Sequence, residues 1–133
     1  MKVCLKHKKN SFSEEEIKVI QNFISFLQLQ TPLTKDITVH FTPERNKLMT
    51  TGVRMPGSNI YVLSDGRLLI DVLRTLSHEW VHEFQHQKLG VKDFSKTQDI
   101  GGPSENMANI LSGIFMKKFQ KLKPKFMKLL YGE

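Results

Sequence analysis

The chain has 133 residues, 39% hydrophobic and 25% charged, which suits one ordinary domain, leaves no room for a second core, and is too apolar for a disordered chain. A single cysteine, Cys4, excludes an internal disulfide, and no stretch approaches the roughly 18 consecutive apolar residues of a membrane span. The net charge of +7 collects at the ends, with Lys2, Lys6, Lys8 and Lys9 at the start and Lys117, Lys118, Lys121, Lys123, Lys125 and Lys128 near the finish.

A single domain over 1–133 is therefore expected, with basic ends 1–10 and 117–128 at its periphery. Residues 1–10 lack the apolar run of a secretory signal, so a cytoplasmic, reducing compartment is expected, without membrane association. The lysine runs suit nucleic acid or an acidic protein. Both runs lack arginine, and a solvated face is the simpler reading.

Ser13 and Glu16 form a capping-box pattern, and Ile17, Ile20, Ile24 and Leu27 recur at helical spacing, which predicts a first helix over 13–29. Thr31-Pro32 stops it. Ile37, Val39 and Phe41 then alternate with Thr38, His40 and Thr42 in the two-residue period of a half-buried strand. Two further strands, 48–54 and 59–63, flank the turn residues Met55-Pro56-Gly57-Ser58 and read as a hairpin. From Arg67 to Leu89 there is neither glycine nor proline, and Leu69, Val72, Leu73, Leu76, Trp80 and Phe84 repeat at helical intervals. A polar loop over 90–102 leads to a last helix opened by Pro103 or Ser104, with Pro124 breaking or kinking it. The expected class is α+β: an N-terminal helix, a small three-stranded, mainly antiparallel sheet, a long helix, a loop and a C-terminal helix.

The long helix contains His78-Glu79-Trp80-Val81-His82, an HExxH pattern. Residues four apart lie one turn above each other, so both imidazoles can reach one ion. Zinc takes such nitrogens and needs a third protein ligand to make a catalytic site. Glu79, beside the first ligand, points toward the metal's open position as a proton acceptor. Apolar Trp80 and Val81, and the uncharged Thr75-Leu76-Ser77 before the motif, distinguish it from a chance surface match. A second HExxH, His82-Glu83-Phe84-Gln85-His86, overlaps one turn on. It is disfavoured because polar Gln85 and charged Lys88 fall where apolar surroundings are wanted, leaving His86 as a pocket or partly exposed residue.

Glu105, at the start of the last helix, is the expected third ligand. Small Ala108 permits close helix approach, and Asn109 could support a ligand imidazole. Asp99 and Asp93 on the loop are competing ligands, and Glu105 could instead be a first-turn acid favoured by the helix dipole.

These residues resemble the gluzincin metallopeptidases, which pair HExxH with a glutamate on the next helix, and look most similar to small single-domain members from bacteria and phages. The resemblance covers Thr75–His82 and Glu105–Asn109. It implies a zincin-like fold and one Zn(2+) per chain, held by His78, His82 and Glu105, with Glu79 as catalytic acid and base. The family commonly has aspartate where Asn109 stands. A metzincin would need a third histidine where this chain has Lys88. The family also places an extended substrate beside the strand before the active helix, which implies a backbone edge at Asn59–Leu63, with Tyr61, His40 or Arg54 as candidate oxyanion groups. The expected activity is peptide hydrolysis, in host cytoplasm if the chain is phage-encoded. The alternatives are a basic nucleic-acid- or acidic-protein-binding module with a structural or vestigial metal site, and a zinc amidase acting on a non-peptide amide.

Overall fold

A computed structural model describes residues 1–43, 50–91 and 103–133. The order is β1 (Val3–Lys6), α1 (Glu14–Gln30), β2 (Ile37–Thr42), β3 (Gly52–Met55), β4 (Asn59–Leu63), α2 (Leu69–Leu89) and α3 (Pro103–Leu122), then a 3-10 turn (Pro124–Phe126) and α4 (Met127–Leu130). The class is α+β, with four helices and one small mixed sheet among the described residues.

The sheet departs from the expected three-stranded, mainly antiparallel form. It has four strands in the order β1-β2-β4-β3. β1 pairs with β2 and β2 with β4 in parallel, and only β3 and β4 are antiparallel. The extra strand comes from the lysine-rich start, where Val3 and Leu5 pack against the core while Cys4 and Lys6 are exposed. Four residues between lysines carry too weak an alternation to stand out. Parallel pairing of β1 with β2 follows from the helix between them, since such a crossover returns the chain in the same direction. The expected hairpin is present as β3–β4, with Gly57 and Ser58 at positive φ in its turn. Residues 48 and 49 of the expected strand lie outside the described residues.

α1 starts at Ser13 with both hydrogen bonds of the capping box and buries Val19, Ile20, Phe23, Ile24, Phe26 and Leu27. α2 runs through the centre of the core on Leu69, Ile70, Val72, Leu73, Leu76, Trp80 and Val81, and ends at Gly90 in a left-handed conformation. Trp80 is fully buried, and its indole N–H donates to the Thr31 carbonyl at 2.9 Å, tying the end of α1 to the middle of α2. α3 packs against both helices through buried Ala108, Phe115 and Phe119. Phe23 meets Phe119 edge-on at 4.9 Å. α3 ends at Leu122, two residues before Pro124. Among the described residues, no helix is long and apolar enough to cross a membrane.

α2 lies against β3 and β4, and the sheet face carrying Val39, Phe41, Ile60 and Val62 is buried in the same core as the helices. Strand side chains alternate between faces, so His40 and Tyr61, one residue out of step, belong to the opposite face. That alternation decides which strand residues can reach α2.

Candidate metal centre

His78 and His82 occur one helical turn apart on α2, and their Nε2 atoms lie 3.1 Å from each other. The first turn of α3 brings Glu105 to both. Its Oε1 is 2.7 Å from Nε2 of His78 and its Oε2 is 3.1 Å from Nε2 of His82. One ligand atom from each of the three residues falls within a 4.8 Å span, so this cluster could hold a metal ion. Two imidazole nitrogens and a carboxylate suit zinc by donor chemistry. Each side chain is about four-fifths buried, which leaves an opening toward solvent.

The protonation pattern suits a ligand set. Burial pushes the His78 pKa below its ordinary value, and nearby His82 adds to this against the opposing pull of Glu105. His78 therefore favours the neutral, ligating form. For His82 the hydrogen bonds choose the tautomer. Gln85 gives its amide N–H to the Ser104 carbonyl at 2.8 Å, which turns its oxygen toward His82 Nδ1 at 2.9 Å. Nδ1 must then carry the proton, and Nε2 presents a lone pair to the cluster.

Gln85 thus supplies the support expected from Asn109, which is exposed on α3. It is 1% exposed and links α2 to the residue preceding Glu105. Read along the sequence, its polarity counts only against the overlapping motif, although its position three residues after His82 places it on the same helix face. Gln85→Ala is expected to weaken zinc affinity by roughly 10–100-fold, measurable by competition with a chromogenic chelator.

Glu79 is 4% exposed and its Oε1 has no hydrogen-bond partner among the described residues. Burial is the main cause that raises its pKa to about 8. The Glu105 carboxylate adds to the rise, and a hydrogen bond from the Arg54 backbone opposes it. The fold therefore binds this proton more tightly than the unfolded chain does. Its stabilising contribution is complete below about pH 4.5 and is lost as pH rises through about 8. His78 acts in the opposite sense, because its lowered pKa removes stability as pH falls. In metal-stripped protein, Glu79→Gln should therefore gain stability relative to wild type across that window, by on the order of a few kcal/mol. Urea unfolding at both ends of the window checks this, since the wild-type-minus-variant difference cancels His78.

β3 stands at the sheet edge beside α2, whereas β4 is paired on both sides, with β2 and with β3. Among the described residues, the edge strand of the sheet next to the cluster is accordingly Gly52–Met55 and not the expected Asn59–Leu63. The approach is close: a Cβ on Gly52 would lie 2.4 Å from Thr75 Cγ2 and 3.3 Å from Glu79 Cγ. Only glycine lets the strand lie this near the helix.

The remaining candidates are placed elsewhere. Tyr61 and His40 stack on each other at 4.3 Å on the outer sheet face, away from the cluster, with His40 Nε2 3.0 Å from Asn59 Oδ1. The Arg54 guanidinium is directed to Glu83, Nε to Oε1 at 2.7 Å. Glu83, the glutamate of the overlapping motif, is fully buried and also accepts from Ser58 Oγ and Gln87 Nε2. His86 Nδ1 lies 2.9 Å from the Val91 carbonyl, outside the cluster. Asp93 and Asp99 lie outside the described residues. No protein-family model, no curated protein and no solved structure matches the chain.

Proposed function

We propose that the chain is a zinc-dependent peptidase of zincin-like architecture, in which His78, His82 and Glu105 hold the metal and Glu79 is the general base. The observation that carries this reading is the convergence of two imidazoles and a carboxylate beside a buried, partly unpartnered glutamate. Zinc held there would supply an acidified water and an electrophile for the scissile carbonyl.

The protein's own groups account for the rest. Glu79, with its proton affinity raised by burial, takes a proton from the attacking water at its free Oε1 and returns it to the leaving amine. The edge of β3 offers backbone donors and acceptors to an extended peptide. Arg54 also lies on that strand, with its backbone hydrogen-bonded to Glu79 and its side chain held by Glu83. The edge and the base are thereby set relative to each other.

Elemental analysis of the purified protein tests the metal. About one zinc per chain is expected in wild type and in His86→Ala, with loss in Glu105→Ala. Absence of zinc from wild-type protein even after reconstitution would overturn the proposal. Cleavage of a mixed peptide library, read by mass spectrometry, then separates peptide hydrolysis from action on other amides.

A further inference from the structure

We infer that the outer face of α3 and the segment after it dock onto a lipid surface carrying anionic headgroups. At 3.6 residues per turn, Ile110, Ile114, Lys117 and Lys121 fall along one line of α3, opposite the buried line of Ala108, Ser112, Phe115 and Phe119. The centre of the solvent-facing side is therefore aliphatic in its first half and cationic in its second. Ile110 is 62% exposed, Ile114 42% and, at the end of the helix, Leu122 64%. No buried function explains two isoleucines directly opposite the core.

The charge around them has one sign. Between Asn106 and Gly132 there are six lysines and no aspartate or glutamate. None of the six makes an ion pair among the described residues. Five of them are exposed, and Lys123 is half-buried. Beyond Pro124, Met127 and Tyr131 are also exposed.

Apolar side chains flanked by lysines that make no ion pair among the described residues match a bilayer interface, where the aliphatic groups leave water for the acyl boundary and the ammonium groups meet anionic headgroups. Nucleic acid is the poorer fit. It would reward arginine and stacking aromatic rings, whereas this segment has no arginine and its central groups are branched aliphatic residues with nothing to gain at a phosphate backbone. The inference is independent of the metal centre.

The test is co-sedimentation of the full chain with vesicles of phosphatidylcholine alone and of phosphatidylcholine mixed with phosphatidylglycerol. Binding to the mixed vesicles only is expected. It should fall by about tenfold in Lys117→Gln/Lys121→Gln and by a similar factor in Ile110→Ser/Ile114→Ser. All four positions are exposed, and an unchanged circular dichroism spectrum verifies folding. Failure to bind anionic vesicles would overturn the inference. So would binding that is indifferent to the isoleucines, which marks a purely ionic surface, or tighter binding to a single-stranded oligonucleotide.

Discussion

Peptide hydrolysis by the zinc-loaded protein is expected to fall by on the order of 10²–10⁴-fold in Glu79→Gln, with zinc content unchanged. Glutamine keeps the size of the side chain and can still accept the backbone hydrogen bond of Arg54, but it cannot take a proton. Glu79 is buried beside His78 and is not part of the three-residue ligand cluster. Its loss should therefore separate chemistry from metal binding. Steady-state kinetics on the best peptide from the library, with zinc measured on the same samples, is the check. Hydrolysis that survives the substitution would assign the proton transfer to another group, and zinc loss would move Glu79 into the ligand set.

The second large effect is on stability. Glu83 is fully buried and holds Arg54, Ser58 and Gln87 together. Gln87 in turn accepts the backbone N–H groups of Thr34 and Lys35 at 3.0 Å. The cluster thus ties α2 to the edge strand, to the β3–β4 turn and to the segment before β2. Glu83→Ala removes the fully buried carboxylate that pairs with the Arg54 guanidinium and is expected to cost about 3–5 kcal/mol. For a chain of this length that is a fall in melting temperature of roughly 10–15 °C. Arg54→Met/Glu83→Leu should regain a good part of the loss, because neither charge then has to be held out of water. Thermal unfolding followed by circular dichroism compares the three proteins. A Glu83→Ala protein that melts within a degree or two of wild type would show that the ion pair contributes little.

These two glutamates show how far a sequence motif reaches. Glu79 and Glu83 each follow a histidine in an HExxH pattern, and each is buried on α2, yet their partners differ. The His78–His82–Glu105 cluster and the edge strand lie beside Glu79, while the Arg54 guanidinium pairs with Glu83. Helical spacing alone places both on the same side. Which becomes a candidate base and which a structural anion depends on β3, a strand with no signature in the motif. Gln85 makes the same point from the other side. A polar residue within an apolar-facing stretch reads as a defect until the Ser104 carbonyl and His82 Nδ1 are found on its two amide atoms.

Local chemistry was readable wherever the interacting residues lie within a few positions of one another. The capping box at Ser13, the extent of α2 between Arg67 and Gly90, the hairpin around Pro56-Gly57-Ser58 and the pairing of His78 with His82 are all of this kind, because helix and turn geometry fix such separations. Glu105 was also readable, as an acid in the first turn of the next helix, although its distance from the histidines was not. Contacts between distant residues were decided only by tertiary packing. Val3–Lys6 became a strand because β2 offered a parallel edge on which Val3 and Leu5 could be buried. β4 lost its edge position because parallel pairing with β2 put it inside the sheet, and that order moved the sheet edge to Gly52–Met55. Tyr61 and His40 were carried to the outer face by the two-residue period of their strands once Ile60 and Val62 had taken the core. Short-range periodicity belongs to the sequence, whereas strand order and the proton affinity of Glu79 arise only when distant segments exclude water from one another.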